Sequence, residues 1–403
     1  MNSKMDPMGR AIADYWKTKK ADRLRVFSPM FEEDEIPLTT LFRKYKAMPE
    51  IERKALDMAT GKTLDVGAGS GCHSLVLQEK GIDVTAIDIS PLSVETMKER
   101  GVKKVLEQNF FTLEGQYDTI LMLMNGIGIV GTLERLPKFF RQLEKILAPG
   151  GQVLCDSSDI SYVFEDENGM IDIPNEMDYY GEHSFQMQYK DTIGEPFDWL
   201  YIDADTLKEK AAKNGYVAEV VAEGDHYDYL ARITKMSFIK YIADESHYKE
   251  VLSLVEKAKR TVWIGTADIK DLYVDDKPFL ALIASLLKKG VEVRLIHAKE
   301  PGTAWREDHE KHPILYDGIE RVLCPRVHFK LIIIDSSIAY VGSANLTGAG
   351  MGMKSPKKRN FEAGILTDDP EMLDAAIEQF DNVWIGKFCK DCGRREYCSD
   401  PIK

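Results

Sequence analysis

Residues 61–71 read GKTLDVGAGSG, a short apolar strand running into alternate glycines, and CHSLVLQEKG follows at 72–81 with helical spacing. No other stretch limits the fold so tightly, because a strand that turns through three glycines straight into a helix belongs to an α/β sheet. About twenty residues after the first glycine, VTAID forms a second strand closing on Asp88. That is where an acid holds ribose hydroxyls in doubly wound folds. The glycines also discriminate. Gly67, Gly69 and Gly71 spell G-x-G-x-G behind Asp65, whereas a dinucleotide fingerprint needs its third glycine at position 72, which is Cys72.

The pattern D-x-G-x-G-x-G with a later strand-end acid resembles the class I S-adenosylmethionine-dependent methyltransferases, and the resemblance covers roughly residues 1–235. YDTILMLMNGIG (117–128) reads as the fourth strand, and LPKFFRQLEKILAPGGQVLCDSSD (136–159) as a helix, a Pro-Gly-Gly turn and the fifth strand. YVAEVVAEG and YDYLARITK then suit the closing antiparallel hairpin. The resemblance implies a Rossmann-like seven-stranded sheet and a cofactor site of Asp65, Gly67, Ala68, Gly69, Gly71, Asp88, Ile89, Asn109 and Asn125. S-adenosylmethionine carries a sulfonium and no phosphates, so its site calls for close backbone approach and carboxylates, not a lysine-rich anion cradle. Asn109 stands where the family often has an Asp contacting adenine. Asn125 lies at the end of the fourth strand, beside the methyl-transfer cleft.

The acceptor is less defined. The N-P-P-[YF] motif of relatives that grip a planar amino group is missing, and the expected acceptor is a small molecule or a protein. DYWKTKK and the insert SYVFEDENGMIDIPNEMDYYGEH (161–183) are natural lids, with Tyr15, Trp16, Tyr179 and Tyr180 as pocket-lining or lid-packing aromatics. His73, at a helix start beside the glycines, reads as a general base or as a residue packed near the cofactor.

From residue 247 the pattern restarts as helix then strand, and FLALIASLLKKGVEVRLI repeats it, giving a second α/β domain. Its centre is VHFKLIIIDSSIAYVGSAN (327–345), in which Leu331–Ile334 is apolar on both faces and so marks a strand buried from both sides. A two-residue loop at Ser336 and Ser337 would set His328 opposite Asn345 and Lys330 opposite Ser343, gathering four polar groups on one face. Such a group suits phosphoryl transfer. A His can attack phosphorus while Lys330, Ser343 and Asn345 hold the non-bridging oxygens, with no metal required.

The letters H-x-K-x4-D-x6-G-S-x-N, carried by His328, Lys330, Asp335, Gly342, Ser343 and Asn345, resemble the phospholipase D superfamily over about residues 245–388. The resemblance implies that Glu362 hydrogen-bonds His328 and fixes its tautomer. That family uses two such motifs. Neither His247-Tyr248-Lys249 nor His309-Glu310-Lys311 completes a second one, so a homodimer through this domain is expected to supply the missing half. The alternative reading is an inactive copy serving as a dimerisation or binding module.

Cys389-x2-Cys392-x5-Cys398, with Cys324 four residues before His328, spaces four thiolates for tetrahedral zinc, for an iron–sulfur cluster or for plain reduced thiols. The 403 residues favour two domains, placed at 1–238 and 239–403. Residues 1–240 hold 29 Lys and Arg against 40 Asp and Glu, while 241–403 hold 24 against 26. The acidic front half argues against a nucleic-acid substrate there. Lys354, Lys357, Lys358 and Arg359 could draw a phosphodiester polymer to the back half, where a nuclease substrate is expected first and a lipid second. The charged N-terminus and the lack of an 18-residue apolar run suggest a cytoplasmic protein without a membrane span.

Overall fold

The computed structural model describes residues 5–166, 168–174, 177–299 and 302–398. The chain divides into two compact units, Met1–Met236 and Ser237–Lys403.

The first unit opens with helix α1 (Pro7–Thr18), which starts sharply because Asp6 accepts from Gly9 N at 2.8 Å and Pro7 takes the first helical position. Strands β1 (Leu24–Phe27) and β2 (Asp34–Ile36) follow, then helix α2 (Glu50–Met58), strand β3 (Lys62–Val66) and helix α3 (Cys72–Glu79). Next come β4 (Asp83–Asp88), helix α4 (Pro91–Glu99), β5 (Val105–Glu107), β6 (Tyr117–Met122), helix α5 (Leu136–Ile146) and β7 (Leu147–Ser158). The unit closes with β8 (Glu182–Tyr189), β9 (Thr192–Ile193), β10 (Phe197–Leu200), β11 (Tyr216–Glu223) and β12 (Asp228–Lys235).

Its main sheet has the order β11-β12-β7-β6-β3-β4-β5. The strands from β3 to β7 run parallel, and β11 and β12 form the expected antiparallel hairpin. After β5 the chain crosses back to the far side of β3, so a topological switch point lies beside the glycine turn, where such sheets hold ligands. A second, antiparallel sheet has the order β10-β8-β1-β2, with β9 added on β8.

The second unit contains β13 (Ile239–Ala243), β14 (Thr261–Thr266), β15 (Glu292–His297), β16 (Ile319–Leu323), β17 (Lys330–Ile334), β18 (Ile338–Gly342), β19 (Ala363–Thr367) and helix α6 (Pro370–Trp384). They form one sheet in the order β13-β19-β18-β17-β14-β15-β16. Leu331 and Ile333 pack with Leu373 and Phe380 of α6, while Ile332 and Ile334 join a separate core with Ile264 and Ile283. The strand is thus covered on both faces, and each of its four apolar side chains is almost wholly buried, worth about 1.5–3 kcal/mol apiece.

The hairpin register differs from the sequence expectation by one residue. Lys330 pairs with Gly342 and Ile334 with Ile338, so the loop is the three residues Asp335-Ser336-Ser337. Asp335 and Ser336 take left-handed φ values of 53° and 50°, and Ser337 N returns to Ile334 O at 3.0 Å, a turn that the two-residue assumption omits. Ser343 therefore does not sit opposite Lys330.

Candidate functional site

In the first unit the backbone builds the site. Gly67, Gly69 and Gly71 all have positive φ, from 55° to 79°. A Cβ on Gly67 would meet nothing within 4 Å, whereas one on Gly71 would press into Val102 at 2.9 Å. Gly67 therefore borders open space and Gly71 permits packing. Ala68 N bonds Ile87 O at 3.0 Å, pinning the turn to the end of β4. Asp88 accepts from Gly69 N at 2.9 Å and from Ser90 N at 2.8 Å, so one carboxylate fixes both loops around the opening. Burial pushes its pKa up to about 6, the two backbone donors pulling the other way. Ile89, beside it, leaves 48% of its surface exposed, an apolar face at the rim.

Asp65 and Asn109 each also hold the fold. Asp65 is buried and accepts from Ser74 Oγ at 2.6 Å, tying β3 to the first turn of α3, and burial raises its pKa. Asn109 Oδ1 accepts from Phe111 N at 2.8 Å, capping a short turn. Asn125 is left-handed at φ 57° after Met124 at φ 66°. Two such residues in sequence cost energy, and they are held by buried Asp156, which accepts from Met124 N at 3.1 Å and Gly126 N at 3.2 Å. Sequence reasoning missed Asp156, although an acid ending the apolar run VLCD was its one visible signal.

The lid aromatics separate. Tyr15 and Trp16 pack on Phe42, Tyr179 OH bonds Asp203 at 2.6 Å, and Tyr180 OH bonds Asp159 at 2.9 Å. His73 is buried 2.9 Å from Glu52, which also pairs with Arg43. Burial opposes its charge, yet Cys72, Glu52 and Asp65 together hold its pKa well above the ordinary value. It is a packed ion-pair member, not a base facing a cleft.

In the second unit side chains build the site, and only some of them meet. His328 is exposed at the mouth of β17, with Nδ1 3.2 Å from Nζ of buried Lys330. Lys330 also donates to His328 O at 2.7 Å, and burial lowers its pKa against the pull of Glu362. A charged lysine can only donate, so Nδ1 accepts and the ring proton lies on Nε2. Glu362 immediately precedes β19, whose Gly364 pairs with Gly342, and this register sets it beside Ser343. It accepts from Ser343 Oγ and from Asn360 Nδ2 at 3.0 Å, in place of the expected bond to His328. Asn345 lies 3.5 Å from Thr266 Oγ1, a hydroxyl that also accepts from Leu346 N and was not foreseen.

Asp335 does not join them. It sits at the far end of β17, about 17 Å along a five-residue strand. There it accepts from the backbone amides of Lys259, Arg260 and Thr261 at 2.7–3.1 Å, buckling the turn to the start of β14.

The four back-half cysteines do not form a ligand set: among the described residues no three His, Cys, Asp or Glu side chains gather to hold a metal. Each thiol is instead free, with Cys398 Sγ 3.7 Å from Leu323 O and Cys392 Sγ 3.7 Å from Arg326 Nη1. Spacing alone misled, because the tail meets its neighbours through carbonyl and guanidinium groups.

Known proteins match the two units separately. Residues 40–220 match a methyltransferase domain family, and residues 251–384 match the family described as cardiolipin synthase, PLD-like domain. A crystal structure of an S-adenosylmethionine-dependent methyltransferase from Bacteroides fragilis, in complex with S-adenosyl-L-homocysteine, is 59% identical, with a TM-score of 0.56. The match covers 59% of this chain and 97% of that one. Cardiolipin synthase 2 of Bacillus cereus is 23% identical over 188 residues, 45% of this chain and 33% of that protein. Putative methyltransferase YqeM of Bacillus subtilis is 30% identical over 116 residues, 26% of this chain and 47% of that protein. The chain thus spans about a third to a half of the length of the curated relatives it matches. Through its first unit the chain belongs to the S-adenosylmethionine-dependent methyltransferases, and to that unit it joins a phospholipase D-like domain.

Proposed function

We propose that the chain is a bifunctional enzyme, with methyl transfer in residues 1–238 and phosphodiester hydrolysis in residues 239–403. When bound, S-adenosylmethionine supplies an electrophilic methyl group. Gly67 and Gly69 would admit it by close backbone approach, Asp88 would accept from its ribose, Ile89 would cover its base and Asn125 would border the transferred group. The Bacteroides relative holding S-adenosyl-L-homocysteine supports that assignment. The acceptor is proposed to be a small molecule or a protein.

The observation that carries the hydrolase reading is the exposed His328 over buried Lys330, next to the Ser343 and Glu362 pair. In the proposed reaction Nε2 of one His328 attacks phosphorus. A phosphorus–nitrogen bond forms, the bond to the leaving oxygen breaks, and His328 of a second copy protonates that oxygen. Water then releases the phosphoryl group. An attacking Nε2 needs its proton moved to Nδ1, so Lys330 must give way there to an acceptor such as Glu362 as the site assembles.

A second copy has a fitting surface. Tyr241, Ile365 and Val341 stand in one cross-strand row, Tyr241 71% exposed, and Phe361 beside Glu362 is 94% exposed. Val341 pairs with Leu331, so the row lies on the sheet face opposite Lys330, with Phe361 as the exposed apolar group next to Glu362; such a patch favours a symmetric dimer. Nucleic acid is the proposed first substrate class. The cardiolipin synthase name of one relative favours phosphatidyl transfer as a second reading. Among the described residues no helix is long and apolar enough to cross a membrane. Six free cysteines suit a cytoplasmic setting.

The test is His328→Asn in the full chain. Hydrolysis of bis(p-nitrophenyl) phosphate and of short DNA is expected to vanish while S-adenosylmethionine binding by calorimetry stays unchanged. Hydrolysis at the parental rate in the variant would sink the nucleophile assignment, and no hydrolysis of either substrate by the parent chain would favour the dimerisation-module reading.

A further inference from the structure

The antiparallel sheet of the first unit carries a group that the site above does not use. His183 on β8 is 5% exposed, and its Nε2 lies 2.9 Å from Tyr180 O. A carbonyl can only accept, so Nε2 holds the proton and Nδ1 keeps a lone pair. Nδ1 is buried without a partner among the described residues. Leaving such an acceptor unmatched costs free energy that a bound donor would recover.

Aromatic rings surround it on one face. Strand pairing sets His183 opposite Trp199 and Phe185 opposite Phe197, and alternation adds Tyr201 to the same side. Phe31 lies 4.7 Å from the His183 ring, and Tyr201 lies 6.2 Å from both His183 and Phe185. All five of these aromatic rings are only half-buried.

This face looks onto the turn that follows β6. A Cβ on Gly128 would collide with the Trp199 indole, and Gly128 N bonds Asn125 O at 2.9 Å. Met187, further along β8, packs in the same cluster as Met124. Directly opposite residues place their Cβ atoms about 5 Å apart. His183 therefore stands roughly one ring's width beyond Trp199 from the Met124–Gly128 loop.

We propose that this aromatic face is the methyl-acceptor site, that it takes a planar phenolic molecule, and that Nδ1 of His183 accepts the phenolic proton. The proposal rests on the methyl-transfer reading. The flat faces of Phe31, Phe185 and Tyr201 around His183 match a flat acceptor better than a flexible aliphatic one. As the oxygen–methyl bond forms, the methyl–sulfur bond breaks, its electron pair stays on sulfur as a neutral thioether, and the hydroxyl proton passes to Nδ1. The ring rests in its neutral, basic form because burial lowers its pKa, opposed only by the Tyr180 carbonyl. The titratable side chains around it are Tyr201, Tyr180 and Glu182, the last engaged by Leu133 N, with Tyr162 and then Asp34 acting on Tyr201.

The experiment uses the full chain, tritiated S-adenosylmethionine, and p-cresol and catechol against ethanolamine and glycine. Transfer to the phenols is expected. His183→Gln keeps an amide donor for Tyr180 but has no basic nitrogen to take the proton. Its kcat should fall about 100-fold with KM within threefold, and recover as pH rises toward the phenol's own ionisation. Phe185→Ala should raise KM about tenfold and leave kcat within threefold. Calorimetric binding of S-adenosylmethionine by both variants checks that the unit is folded. A protein that binds S-adenosylmethionine but methylates neither phenol overturns the acceptor class, and an unchanged kcat in His183→Gln overturns the base. Failure of the parent chain to bind S-adenosylmethionine would instead remove the methyl-transfer reading beneath both.

Discussion

The two units hold their candidate ligands with different parts. In the first, backbone conformation does most of the work, as positive-φ glycines, amides and buried carboxylates meet within one chain. In the second, polar side chains do it, and they are half assembled: His328 is exposed, Glu362 is engaged elsewhere and Asp335 serves the fold. A site made of backbone is complete once the sheet is formed. One made of side chains can wait for a second surface to complete it.

The sharpest way to break this contrast is Tyr241→Asp, which puts a charge into the exposed row. Phosphodiester hydrolysis should fall more than 100-fold and sedimentation should show a monomer, while methyl transfer persists. Equal loss of both activities would end the distinction between a self-sufficient and an incomplete site.

Gly67→Val attacks the other side, because a β-branched residue at φ 65° is strained and its side chain enters the open space. Affinity for S-adenosylmethionine should drop about 30-fold or more by calorimetry, with hydrolysis untouched.

Acidity offers a smaller effect. The folded pKa of Asp88, raised by burial to about 6, exceeds the ordinary carboxylate value, so the fold favours its protonated form. That contribution to stability is present at low pH and lost as pH rises through about 6. The proposed ribose contact needs the charged form and runs the opposite way: affinity should weaken about tenfold per unit below pH 6. Asp88→Asn should flatten that profile.

The smallest effect is Asp335→Ala, expected to cost the second unit about 2 kcal/mol in denaturant unfolding through three lost amide bonds, while hydrolysis per folded molecule remains. A 1000-fold loss of activity at unchanged stability would return Asp335 to the chemistry.

Much of this was legible in the residues. Gly67, Gly69 and Asp88 carry their own geometric demands, and Leu331–Ile334 announces a strand covered on both faces. Register was not legible, because Asp335-Ser336-Ser337 accommodates two- or three-residue loops and only backbone angles decide between them. The partners of Glu362 were equally hidden, since they depend on which strand lies beside Ser343. Asp156 lies far in sequence from the loop it holds, and Phe31 from the His183 ring it packs on. The cysteines show the converse, a local spacing that long-range packing did not use.

The uncovered row of Tyr241, Ile365 and Val341 also has an arithmetic consequence. If one activity is unimolecular in this polypeptide and the other scales with the square of its abundance, dilution silences only the second. The ratio of methylated to cleaved product would then report how much of the protein a cell contains.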